Sequence, residues 1–160
     1  MEGSIVMMKM PKPKPVVRCT KLAPMRKNSC YSVKRGCETA NCGLCTVLMD
    51  ERPVLSCSML AARADGKRIV TLEGMQEEAK EFGAFMANEG AEQCGFCNPG
   101  FIMNVFAMLK ELEDPTEEDI LEYLSGNLCR CSGFVGQTRS ILKYLEYKKN
   151  GNIQEKEVQA

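Results

Sequence analysis

Two groups of four cysteines are the residues in this chain whose type and spacing could do chemistry. Cys37, Cys42, Cys45 and Cys57 read C-x4-C-x2-C-x11-C, while Cys94, Cys97, Cys129 and Cys131 read C-x2-C, a gap of 31 residues, then C-x-C. They take eight of the ten cysteines among 160 residues. Sets of four thiolates bind iron or zinc through soft sulfur donors. Three cysteines within nine residues, followed by a returning fourth, is the plant-type spacing for a [2Fe–2S] cluster. Two such centres in one short chain point to electron transfer.

Composition removes competing chemistries. The chain has no histidine, which excludes Cys/His zinc fingers, Rieske centres, Ser-His-Asp triads and Cys–His nucleophiles. Lys plus Arg and Asp plus Glu both number 21, so no basic excess indicates nucleic acid and no acidic excess indicates a solvating role. No apolar run approaches the ~20 residues of a membrane span. The opening MEGSIVMMKMPKPKPVV lacks the apolar segment and small-residue cleavage site of a signal peptide. The expected location is the cytoplasm, where paired cysteines more often bind metal or catalyse than form disulfides.

The elements that must position these cysteines change character along the chain. Residues 1–18 alternate Pro11, Pro13 and Pro15 with lysines and read as a disordered or surface arm. Residues 19–73 carry all the strand signal: Thr46–Met49, a turn at Asp50-Glu51-Arg52, a returning strand Pro53–Leu60 that would carry Cys57, and Arg68–Leu72. Residues 74–148 read as four helices. The first covers 75–89, with Phe82, Phe85 and Met86 on one face. The second starts near Pro99 and runs to about Glu113. The third is capped by Thr116, turns Ile120, Leu121 and Leu124 inward and ends at Gly126; the fourth covers 137–148. Residues 149–160 read as a polar tail. Cys94 and Cys97 fall between helices one and two, and Cys129 and Cys131 between helices three and four, so two packed helical hairpins could bring both loops to one end.

A [2Fe–2S] core needs two thiolates on each of two irons, and the sequence-adjacent pairs Cys94/Cys97 and Cys129/Cys131 could serve one iron each. A four-thiolate zinc site is the rival, but zinc usually takes two separated pairs, which the triplet Cys37, Cys42, Cys45 fits less well. Cys19 and Cys30 stand outside both sets and read as small buried or surface residues, and the eleven methionines as core filler.

Three motifs carry a family resemblance. Gly36-Cys37-Glu38-Thr39-Ala40-Asn41-Cys42-Gly43-Leu44-Cys45-Thr46-Val47 resembles the ferredoxin-like loop in the small subunit of molybdenum hydroxylases, the xanthine dehydrogenase and aldehyde oxidoreductase group. Gln93-Cys94-Gly95-Phe96-Cys97-Asn98-Pro99-Gly100 and Gly126-Asn127-Leu128-Cys129-Arg130-Cys131-Ser132-Gly133 resemble its second-cluster motifs. The similarity runs from about Ser29 to Lys148. Two departures stand out: residues 1–25 lack the family's opening strand pattern, and Asn98 replaces a more usual Thr.

The resemblance implies an α+β chain, with an N-terminal β-grasp ferredoxin-like domain, irregular at its start, before an all-α four-helix bundle. It implies two [2Fe–2S] clusters held by the eight cysteines, a large partner subunit with the molybdopterin cofactor, and an FAD-binding medium subunit. Gln93 would contact the pterin, and Cys131 would lie on the shortest electron route from the active site. The expected role is therefore a non-catalytic electron-transfer subunit of an oxidoreductase, xanthine dehydrogenase-like, with the first cluster the more accessible and the second buried against the large partner. A zinc-stabilised interaction module and a free-standing two-cluster ferredoxin are the alternatives.

Overall fold

A computed structural model describes residues 6–7 and 28–158, with side chains over 28–150. Four strands, β1 (Val6–Met7), β2 (Thr46–Met49), β3 (Arg52–Leu55) and β4 (Arg68–Val70), form one antiparallel sheet in the order β1-β4-β2-β3. Met49 pairs with Arg52, so Asp50 and Glu51 alone make the hairpin loop, with φ of 49° and 70°. Two left-handed residues in a two-residue loop give the turn whose twist matches that of the strands. Val6 pairs with Ile69, which makes an edge strand of two residues in the stretch expected to be an arm. The proline-rich remainder, with Cys19, lies outside the described residues.

Alternation along β2 divides the interior. Val47 faces Cys30, Val33, Cys45, Ala64 and Ile69, while Leu48 points the other way onto Met103 and Ala107 with Val70. Cys30 is thus a small buried core residue. β3 is shorter than the sequence suggests. It stops at Leu55, because Ser56 turns its N–H and Oγ–H onto the Cys45 carbonyl at 3.2 and 2.8 Å, and Ser58 does the same to Leu55. Cys57 therefore lies in a turn after the strand and not on it.

Four helices follow: α1 (Gln76–Asn88), α2 (Asn98–Glu111), α3 (Glu117–Tyr123) and α4 (Gly133–Val158). α1 buries Phe82 and Met86 and closes at Gly90, φ 64°, with Ala91 N–H on Met86 O at 2.8 Å and Gly90 N–H on Ala87 O. This is a Schellman closure. α2, with Pro99 in its first turn, buries Phe101, Ile102, Met103, Val105, Phe106, Ala107 and Met108, the signature of a central helix. α3 has a full capping box between Thr116 and Asp119. Phe82 anchors the helical core, its ring 5.2 Å from Tyr144, 6.1 Å from Phe106 and 6.4 Å from Phe101.

Other expectations shift. Leu121 is 46% exposed and leaves the α3 face to Ile120 and Leu124. Gly126 is not left-handed, so it does not cap α3 in that conformation. α4 starts at Gly133 and continues to Val158 through the stretch expected as a tail. Its described part is tied to α1 by Lys148 and Tyr144 on Glu81 and by Arg139 and Lys143 on Glu89. The result is a mixed α/β chain with a small sheet and four helices. Among the described residues no helix is long and apolar enough to cross a membrane.

Candidate metal centres

The first cysteine set is built on a curled loop. Glu38 and Ala40 both take left-handed φ, 58° and 61°, and this turns the N–H groups of Thr39 and Asn41 inward onto Cys37 Sγ at 3.5 and 3.3 Å. Those two donors, with the adjacent Cys42 thiol, bring Cys37 down to about 6. Cys42 is buried under Gly36, where a Cβ would stand 2.9 Å from its Sγ. Cys45, at the mouth of β2, is pushed up to about 11 by burial and lies against Cys57, delivered by the turn after β3.

The second set joins the two loops at one end of the helices. Cys94 follows the closure of α1, Gly95 turns at φ 69°, and Cys97 immediately precedes α2. The loop after α3 brings Cys129 and Cys131 alongside, before Gly133 opens α4 at φ 68°. Cys131 Sγ stands 3.5 Å from Cys94 Sγ, and Cys129 lies within hydrogen-bonding reach of Cys97. Burial and the neighbouring Cys129 drive Cys97 up to about 12. Burial also opposes ionisation of Cys129, but the N–H groups of Gly133 and Cys131 and the Cys97 thiol outweigh it and bring it down to about 7. Asn98 accepts from the Cys97 thiol at 3.7 Å.

The pairs are not the sequence-adjacent ones. Cys94 meets Cys131 and Cys97 meets Cys129, across the two loops, because Cys97 turns inward at the start of α2 while Cys94 stays outside on the preceding turn. Cys37 meets Cys42, and Cys45 meets Cys57. Two thiolates facing two thiolates is the donor set of a binuclear iron–sulfide core, so the residues fit that group.

Residues 71–142, which include all four cysteines of the second set, match the family described as a [2Fe–2S] binding domain. The chain is 46% identical over 106 residues to the nicotinate dehydrogenase small FeS subunit of Eubacterium barkeri, covering 65% of this chain and 68% of that one. The chain belongs to the small iron–sulfur subunits of the molybdenum hydroxylase family. A second subunit of this family, the xanthine dehydrogenase iron-sulfur-binding subunit of Escherichia coli O157:H7, is 48% identical over 114 residues, 69% of this chain and 72% of it. The fold is similar to that in the crystal structure of quinoline 2-oxidoreductase from Pseudomonas putida 86. There the TM-score is 0.69 at 36% identity, over 79% of this chain and 80% of that chain. As a small iron–sulfur subunit, the protein is an electron-transfer component of an oxidoreductase.

Gln93 is exposed beside Cys94. In the isolated chain Cys94 and Cys131 are exposed whereas Cys42 and Cys45 are buried. Phe96 and Leu128 are exposed in the same two loops, and Phe134 and Val135 in the first turn of α4 beside them. Three residues near the sets, two of them inside the quoted motifs, make contacts that the sequence reading did not assign. Asn127 is buried over Gly43, the N–H of Leu128 reaches Cys42, and buried Gln137 reaches Cys97. Only the polarity of Gln137 on the inward side of an amphipathic helix could have singled it out.

Proposed function

We propose that this chain is the two-cluster electron-transfer subunit of a xanthine dehydrogenase-like molybdenum hydroxylase in the cytoplasm. Cys37, Cys42, Cys45 and Cys57 hold one [2Fe–2S] cluster in a β-grasp domain of residues 19–73. Cys94, Cys97, Cys129 and Cys131 hold the other in a helical domain of residues 74–148. When bound, each cluster accepts and releases one electron. The chain receives electrons from a molybdopterin site in a large partner subunit, on the side of Gln93 and Cys131, and delivers them from the Cys37 side to FAD in a medium subunit or to an external acceptor.

The observation that carries this reading is the crossed thiolate pairing. Cys94 and Cys131 form its outward pair, among exposed Phe96, Leu128, Phe134 and Val135. Apolar side chains exposed together around redox ligands suit burial against another protein. The pairs themselves supply two sulfurs to each of two irons, and Cys97 and Cys129 anchor the inner end.

Co-expression with the native neighbouring genes, followed by purification and metal analysis, tests the proposal. The expected product is a coloured complex with about four irons and four sulfides per copy of this chain, two for each cluster. A colourless chain with zinc and no sulfide overturns it. A coloured chain that purifies alone under those conditions makes it a free-standing ferredoxin.

A further inference from the structure

Gln137 is 2% exposed, in the second turn of α4. Its Nε2 donates to Cys97 Sγ at 3.9 Å, across 40 residues of sequence. Its Oε1 is buried and has no hydrogen-bond partner among the described residues. A buried amide with its oxygen unsatisfied costs stability relative to an apolar side chain of the same size. Packing of the helices therefore does not call for glutamine at this position. The sulfur does, because with Cys97 as a metal-bound thiolate the opposite orientation would set the amide oxygen against it.

The surroundings hold this amide in place. Gly136 packs on Ala91, where an added Cβ would come to 3.4 Å from Ala91 Cα. Arg139 reaches the Glu89 carbonyl at 3.2 Å, and Ser132 Oγ donates to the Ala91 carbonyl at 3.0 Å. Ser140 Oγ donates to the Gln137 carbonyl at 2.7 Å. The first turns of α4 are thus fastened to the rigid closure of α1, and Gln137 is fixed opposite Cys97.

We propose that Gln137 is a positioning residue for the second centre, whose amide N–H on Cys97 Sγ raises the reduction potential of the cluster held there. The inference rests on the function proposed above. With the cluster bound, an electron supplied by the partner's active site would add negative charge that the ligand sulfurs share. A fixed N–H dipole aimed at one of those sulfurs stabilises the reduced form more than the oxidised one. The protein thereby accepts a stability cost at Gln137 in exchange for an easier reduction.

The test is a redox titration of the purified complex followed by electron paramagnetic resonance, comparing wild type with Gln137→Met. The second cluster is identified as the signal lost in Cys131→Ser. The expected result is a lower midpoint for that cluster, an unchanged midpoint for the other, and a melting temperature equal to or above wild type. Should Gln137→Met fail to assemble, Gln137→Asn keeps the amide but withdraws it from the sulfur by one methylene, and the same lowered midpoint is expected. An unchanged midpoint in the assembled variant overturns the inference and leaves the amide a packing residue. A wild-type complex without any reducible iron–sulfur signal overturns the proposed function instead.

Discussion

The backbone N–H of Leu128 donates to the carbonyl of Cys42 at 3.1 Å, so the residue before Cys129 is bonded directly to a member of the other cysteine set. Nearby, the Asn127 side chain lies over Gly43, and Gly100 of α2 packs against the Gly43 carbonyl and Leu44. The two cysteine loops are thus one packed unit, although 86 positions separate Cys42 from Leu128 (128 − 42).

Gly100→Ala tests that unit. A Cβ there would stand 2.2 Å from Gly43 O and 2.9 Å from Leu44 Cα, both backbone atoms that cannot swing aside. The variant is expected to lose about 1–3 kcal/mol of stability, as overpacked sites do, and to bleach the visible absorption of both sets together. Gly83→Ala is the control, since it has open space and sits inside α1. It is expected to gain up to about 1 kcal/mol in the same thermal melts.

Cysteine replacements should separate the two centres. Cys42→Ser is expected to abolish the first cluster's paramagnetic signal while the chain still co-purifies with its partner. Cys131→Ser should remove the second signal and cut turnover with the physiological acceptor. Turnover left intact in Cys131→Ser would rule out the proposed electron route.

Iron removal by chelator or acid should loosen both cysteine regions. No preformed metal site exists in an unfolded chain, so metal-binding free energy is folding free energy. Each proposed domain is small enough that one core supplies only about 3–5 kcal/mol. Hydrogen exchange is expected to accelerate over residues 37–45, 93–98 and 128–132 in the apo chain, with the Phe82 core slower to follow.

Glu73 gives a pH dependence of known sign. Burial raises its pKa, but the Ser32 N–H at 2.7 Å, the Ser32 hydroxyl at 2.5 Å and Thr71 outweigh it and hold the carboxyl below its ordinary value. A depressed carboxyl contributes stability above its unfolded pKa of about 4.3 and loses it as pH falls through the lower folded value. Glu73→Gln should therefore melt earlier than wild type at pH 7, with the gap closing as pH drops below about 4. A gap that stays constant from pH 7 to pH 3 would assign the effect to packing.

The sequence by itself singled out eight cysteines, spaced as two sets of four, as the candidate sulfur donors. It also marked the starts of α2 at Pro99 and α3 at Thr116, and the turn at Asp50-Glu51. Each of these is a short-range fact: a spacing, a cap, or a turn made within a few residues. Only the tertiary structure decided that Cys94 faces Cys131 rather than Cys97, that Ser56 ends β3 before Cys57, and that α4 begins at Gly133. The same holds for Gln137 on Cys97, Leu128 on Cys42 and Gly100 on Gly43. In these contacts the partners are brought together by the packing of helices and loops far apart in the chain. Nothing within a few residues of Cys94 distinguishes one thiol partner from another; the relative placement of the two helical hairpins does.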